Sequence, residues 1–238
     1  MTDPFAPFRA LSFDCYGTLI DWETGITQAL DPWVRRHDLD VSHDQLLACF
    51  STHETAVQTE QPTARYPEVL AEVMRRVGED LGPAVTVDEA ESFGASVGDW
   101  PAFDDTAGAL ARLRTRFALI ILSNVDRTSF ARSNRRLGVD FDRIITAEDV
   151  GSYKPSARNF DVLINELETL DLTPPQLLHV AESLYHDHQP AKHAGLSSVW
   201  IHRRHAVEGF GATPEPTADV QPDWRFSSMA EFADAAGV

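Results

Sequence analysis

Basic residues are scarce in this sequence: 20 Lys and Arg stand against 37 Asp and Glu, a formal net charge of −17. A surface of that sign repels nucleic-acid phosphates and anionic lipid, so neither nucleic acid nor a membrane is an expected partner. Cysteine is nearly absent. Cys15 and Cys49 are too few for a disulfide framework or a zinc cluster, and they read as two reduced thiols of a cytoplasmic protein. No run of about 18 apolar residues offers a membrane span. The opening MTDPFAPFRALSFD lacks the basic-then-apolar order of a secretory signal. Internal repeats and low-complexity tracts are missing too.

What is present is enough apolar material for one sizeable core with a smaller insert: 43% hydrophobic in 238 residues. Short apolar runs predict buried parallel strands at Ala10–Cys15, Phe117–Ser123, Arg143–Thr146, Leu177–Ala181 and Ser198–Ile201, with a last short strand at Trp224–Phe226. Helical spacing lies between them, at Thr106–Arg116, Arg127–Leu137 and Arg158–Leu170. Strand alternating with helix predicts an α/β fold with a parallel sheet flanked by helices. One stretch breaks the alternation. From Trp22 to about Trp100 the pattern is nearly all helical, over Thr24–His37, Asp44–Thr59, Pro67–Leu81 and Asp88–Gly98. Residues 1–21 and 101–238 are thus expected to form the α/β core, and 22–100 an inserted all-helical cap on two connecting segments, a natural hinged lid. Gly209–Pro222, rich in Pro and Gly, reads as a surface loop.

Polar residues collect just after the predicted strands, where open α/β sheets place ligands. Asp14 ends the first strand within Asp14-Cys15-Tyr16-Gly17-Thr18; Ser123-Asn124 ends the second, Lys154-Pro155 follows the third, and Glu182-Ser183 with Asp187 follows the fourth. Singly, each has an ordinary role as a cap or a solvated loop residue. Four in order, with a helical insert after the first, resemble the haloacid dehalogenase (HAD) superfamily over nearly the whole chain.

That resemblance implies a Rossmann-like core and a hydrolase whose Asp14 carboxylate attacks the substrate and forms a covalent intermediate. Lys154 would keep Asp14 ionised and offset negative charge in the transition state. Ser123, Asn124 and Thr18 would offer donors to substrate oxygens, and Asp187 would orient Lys154 or a water. Tyr16 selects a branch. Phosphatases of the superfamily usually carry a second aspartate there to protonate an alkoxide; a tyrosine, with a pKa of about 10, is a poor acid. The motif Asp-x-Tyr-Gly-Thr is similar to that of 2-haloacid dehalogenases, which implies displacement of halide at C2 and release of a 2-hydroxy acid, with no cofactor.

Other positions depart from that branch. Glu182, Leu184 and Asp187 stand where those dehalogenases have Ser-x-Asn-x-x-Asp, and Phe160 stands where they have a tyrosine. Glu182 occupies the place of the phosphatases' metal-binding acid. Asp14, Glu182 and Asp187, with the Tyr16 carbonyl, would then hold Mg²⁺ in a phosphatase or phosphonate hydrolase; an ion pair from Glu182 to Arg203 is the alternative. The cap arginine that receives halide has no clear counterpart. Arg65, beside Tyr66, is the better candidate over Arg75, and Cys15 with Tyr16, Ser123 and Asn124 completes the expected substrate pocket. His186 is a candidate to assist water, while His188, His202 and His205 suggest no chemistry of their own. The expected partners are a small anionic substrate and, if an apolar face of the insert is exposed, a second copy of the chain.

Overall fold

The computed structural model describes residues 3–238; the first two residues of the expected core segment lie outside the described residues. Six strands form one sheet: β1 (Ala10–Phe13), β2 (Ala118–Ser123), β3 (Arg143–Thr146), β4 (Leu177–Ala181), β5 (Ser197–Ile201) and β6 (Trp224–Phe226). Their order is β3-β2-β1-β4-β5-β6, and every pairing is parallel. A parallel sheet needs both faces covered, which is why these segments read as continuous apolar runs. Alternate residues serve opposite faces. Leu11, Phe13, Ile121 and Val180 join the larger core on one face, whereas Ala10, Ile120, Leu122 and Leu177 join a smaller core on the other.

The helices around the sheet are α5 (Thr106–Leu113), α6 (Arg127–Leu137), α7 (Ala147–Val150), α8 (Ala157–Leu167), α9 (Gln189–His193) and α10 (Met229–Ala235). Between β1 and β2 come α1 (Trp22–Arg36), α2 (His43–Glu60), α3 (Tyr66–Leu81) and α4 (Val87–Ala95), with a 3₁₀ turn at Ser96–Asp99. Their starts follow the cap chemistry of the sequence: Asp21 accepts from the Thr24 N–H, and Ser42 with Gln45 and Thr86 with Glu89 form capping boxes. Helix α3 turns Val69, Leu70, Val73, Met74 and Val77 inward at helical spacing. The chain leaves the sheet at Ile20–Asp21 and returns at Pro101–Ala102, and these two crossings lie side by side. Ile20 bridges Ala102, and the Asp21 N–H donates to the Pro101 carbonyl at 2.8 Å. Gly25 lets α1 lie against Trp100; a Cβ there would fall 2.2 Å from the indole.

Strand order reverses on either side of β1, so the carboxyl ends of β1 and β4 form the crevice where open sheets bind ligands. Asp14 follows β1 at that point, and its N–H donates to the Val180 carbonyl of β4. The first strand is shorter than the apolar run suggests, because the chain bends at Asp14 and Cys15 into a turn. Gly17 permits that turn: its φ is +93°, a conformation costly for any side chain. Among the described residues, no helix is long and apolar enough to cross a membrane.

Candidate active site

The strand ends bring Asp14, Lys154 and Asp187 together, all buried. Lys154 Nζ donates to Asp14 Oδ1 at 2.9 Å, to Asp187 Oδ1 at 2.6 Å and to the Leu122 carbonyl at 3.0 Å, which uses all three of its protons. Thr18 Oγ1 donates to the second Asp14 oxygen at 2.7 Å and accepts from the Glu182 N–H at 2.9 Å. The Asn124 side chain accepts from the Lys154 N–H at 2.7 Å and donates to the Lys154 carbonyl at 3.1 Å. Thr18, expected to reach substrate oxygens, instead aims the carboxylate. Asn124 clamps the loop that carries the lysine and also lines the cavity. Ser123 fits its expected place better: its buried hydroxyl has no protein partner and lines the cavity.

Burial pushes the Asp14 carboxyl above its ordinary range; Lys154 opposes this, and Asp187 adds to it. Burial works the same way on Asp187, but Lys154 and His179 outweigh it and hold that carboxyl well below the usual carboxylate range. Burial weakens the Lys154 ammonium, yet the two aspartates more than restore it. The triad therefore combines a firmly ionised Asp187, a charged lysine and an aspartate whose carboxylate is poorly stabilised. A desolvated carboxylate beside a cation is suited to nucleophilic attack.

The sequence reading missed His179. It lies opposite Ser12 in the β1–β4 register, on a face that otherwise packs apolar residues. Its Nδ1 is 2.8 Å from the Ser12 hydroxyl and its Nε2 is 3.0 Å from Asp187 Oδ1. An ionised Asp187 accepts only, so Nε2 carries a proton and the ring fixes the carboxylate from below. Phe160 packs edge-on against His179, with ring centroids 5.3 Å apart, and lies in the core.

Above the triad is a cavity of about 30 Å³. Tyr16 lines it, but its phenol is tied to Ser133 Oγ at 2.8 Å, and burial raises its pKa well above the ordinary value. His186 lines it with a free Nε2; burial lowers its pKa to about 4, so the ring is neutral at physiological pH. Cys15 turns into the core and away from the cavity. Arg65 is a further correction. It is exposed and bound to Glu68 at 2.8 Å, and Arg75 is likewise paired on the surface with Glu72. The neighbour of Arg65 does turn inward: Tyr66 is buried and donates to Glu54 Oε1 at 2.6 Å, and both line the cavity.

Glu54 is thus the carboxyl group that the helices of the insert contribute to the cavity among the described residues. Burial, against the Tyr66 hydrogen bond and helped by Asp14, pushes its carboxyl up to about 7. An unfolded glutamate titrates near 4.3. The folded state therefore holds this proton more tightly. The resulting stability is full below pH 4.5 and is lost as pH rises through 7. The linkage predicts that Glu54→Gln is more stable than the parent by on the order of 3 kcal/mol at pH 8. The difference should vanish toward pH 4.5, as thermal melts across that range will record.

The donor set for Mg²⁺ does not fit. Asp14, Glu182 and Asp187 do not gather their oxygens within 4.8 Å of one another, and Lys154 already occupies the space between the two aspartates. Glu182 turns aside to Thr213 Oγ1 at 3.1 Å, and burial raises its carboxyl to about 8. Arg203 does not pair with it. That guanidinium binds Asp105 at 2.9 Å and the Thr18 carbonyl. The Gly and Pro content around Thr213 predicts a surface loop; Thr213 and Ala212 are nonetheless buried, and the Ala212 N–H donates to Glu23. The group that does converge is Cys49, His53 and Asp80 on α2 and α3, with His53 Nε2 2.8 Å from Asp80.

The sequence matches the haloacid dehalogenase-like hydrolases over residues 8–195. The chain belongs to that family. Among characterised relatives it is 23% identical over 216 residues to (S)-2-haloacid dehalogenase 1 of Pseudomonas sp. (strain CBS-3), a match that covers 88% of this chain and 91% of the relative. Solved structures with the same fold include the defluorinating L-2-haloacid dehalogenase Rha0230, with a TM-score of 0.79 at 19% identity, covering 100% of this chain and 99% of that one. The L-2-haloacid dehalogenase of Xanthobacter autotrophicus with chloropropionic acid covalently bound gives 0.77 at 20% identity, covering 95% and 97%. The putative HAD-hydrolase YfnB of Bacillus subtilis, bound to magnesium, gives 0.76 at 17% identity, covering 97% and 99%. As a HAD-like hydrolase, this chain keeps its polar residues at the sheet's carboxyl edge.

Proposed function

We propose that this HAD-like hydrolase cleaves a carbon–halogen bond at C2 of a small 2-haloacid, without a metal. An Asp14 oxygen attacks C2; the new C–O bond forms as the C–halogen bond breaks, and halide leaves with the bonding pair. Water then hydrolyses the ester, which restores the Asp14 carboxylate and yields a 2-hydroxy acid. Lys154 stabilises the attacking carboxylate, Asp187 and His179 hold Lys154 in place, and Ser123 offers a free hydroxyl to the substrate carboxylate. The unpartnered Asp187 Oδ2 and the neutral His186 ring stand ready to position the water.

The observation that carries this reading is Tyr16. Its phenol is locked to Ser133, and burial makes it a still weaker acid. An alkoxide leaving group needs a proton that Tyr16 cannot supply, whereas a halide leaves without one. The name of the Pseudomonas relative supports the same substrate class. A cavity of about 30 Å³ holds little more than two water molecules, so the insert helices must move outward to admit even a three-carbon acid.

The test is halide release from (S)-2-chloropropanoate against phosphate release from an aryl phosphate, each with and without EDTA. Chloride release that EDTA does not touch is expected. Phosphate release alone, dependent on added Mg²⁺, would replace this reading with the phosphatase one.

A further inference from the structure

The walls of the cavity hold an unusual charge balance. Asp14, Asp187 and Glu54 bring three carboxyl groups, and Lys154 brings the one cation among the described lining residues. That cation is fully engaged by the two aspartates and the Leu122 carbonyl. Arg65 and Arg75, the arginines nearest in sequence to the cap-side wall, are both committed to surface glutamates. A simple 2-haloacid anion would therefore enter a site with no free positive charge, facing a buried glutamate.

Glu54 is also a built feature rather than a stray surface acid. It lies in the buried stripe of α2 with Phe50, Val57 and Gln58, where helical periodicity calls for an apolar residue. Tyr66 fixes one of its oxygens at 2.6 Å. The other oxygen has no protein donor among the described residues. A buried carboxyl costs stability unless it is paired, and such costs are retained where a ligand supplies the partner.

We infer that Glu54, positioned by Tyr66, is a specificity-determining subsite for a cationic amino group on the substrate, so that the preferred substrate is zwitterionic: a small 2-haloacid that also bears an ammonium group. This rests on the substitution at C2 by Asp14. The ammonium would donate to the free Glu54 oxygen, and the substrate carboxylate would turn toward the Ser123 hydroxyl on the opposite wall. The ammonium thereby pairs with the one carboxyl of the lining that Lys154 does not serve. With the ligand in place Glu54 is ionised, because the ammonium opposes the burial that raises its pKa.

Two measurements keep this apart from the identity of the leaving group. The first is binding, which needs no chemistry: calorimetric titration of the intact protein with 3-aminopropanoate and with propanoate. The zwitterion is expected to bind at least about tenfold more tightly, the scale of one desolvated charge contact. Glu54→Gln, which keeps an acceptor for Tyr66, should remove that preference, and Tyr66→Phe should weaken it several-fold. The second is kcat/KM for chloride release from 3-amino-2-chloropropanoate and 2-chloropropanoate, with the same ratio expected and the same response to the two variants. Equal or weaker binding of the zwitterion by the parent protein overturns the inference. So does a preference that survives in both variants. A Glu54→Gln variant that slows both chloro acids equally, with the binding preference intact, would make Glu54 a proton donor instead and also overturn it. Preferential binding with no chloride release from either acid would support the subsite and refute the dehalogenase reading alone.

Discussion

Lys154→Met is expected to lose at least about 10³-fold in turnover, the scale reached when one preorganised charge contact to a transition state is removed. It is also expected to destabilise the fold by about 3–5 kcal/mol at pH 7, because removing one partner of a buried ion pair strands the other. Here two partners are stranded. Asp14 and Asp187 both bind the ammonium, and without it two buried carboxylates are left near one another with no cation between them. One of them must then protonate, and Asp14 is already pushed upward. Its folded-state pKa would lie further above its unfolded value, so the variant should regain stability as pH falls through that pKa. Denaturant unfolding at pH 7 and pH 5, beside halide release, would check both parts. A variant as stable as the parent at pH 7 would mean that the triad is not coupled as described.

Asp14→Asn should behave in the opposite way toward folding. The amide matches the carboxylate in shape; its oxygen can accept from Lys154 and its NH₂ can donate to the Thr18 hydroxyl, but it carries no charge. Lys154 would keep Asp187 as a balanced partner. The substitution removes a carboxylate that burial disfavours, so stability is expected to stay within about 1 kcal/mol of the parent or to rise. Turnover should fall by at least about 10⁴-fold, because no other side chain of the site replaces a lost nucleophile. Melting curves and halide release on the same preparation separate the two effects. Loss of folding together with loss of activity would point to a structural role for Asp14.

These contrasting outcomes come from features that differ in how plainly the sequence displays them. The strands were legible because both faces of a parallel sheet are buried, which leaves uninterrupted runs such as Phe117–Ser123 and Leu177–Ala181. Asp14, Ser123, Lys154 and Asp187 were legible because each ends or follows a strand, and a parallel sheet delivers all such ends to one edge. Lys154 carries a further mark: it is one of two lysines in a chain that otherwise uses arginine for its basic residues. A compact ammonium donates to three acceptors converging from different directions, which a planar guanidinium does not do.

What the sequence concealed is mostly long-range. His179 sits inside an apolar run, and its partner Ser12 is 167 residues away, so only the register of β1 against β4 discloses the pair. The sequence offers Arg65, beside Tyr66, as a pocket residue. Arg65 is the extended residue that caps α3, paired outward with Glu68, while Tyr66 begins the helix and turns inward. Glu54 did leave a signal, a carboxylate on the apolar stripe of α2, but an isolated break in a pattern does not say what lies opposite. Glu182 followed a strand just as Asp14 did, yet its carboxyl turned to Thr213. That partner comes from a Gly- and Pro-rich segment whose inward fold is set by Glu23, far away in sequence.

The covalent step can be observed without knowing the natural substrate. A single turnover of excess protein with 2-chloropropanoate in H₂¹⁸O, followed by digestion and mass analysis of the peptide containing Asp14, reads out the fate of that carboxylate. Attack by Asp14 predicts ¹⁸O in the Asp14 side chain and unlabelled oxygen in the first-formed hydroxy acid. Label in the hydroxy acid after one turnover, with Asp14 unlabelled, would mean that water attacks the substrate directly and would contradict the account.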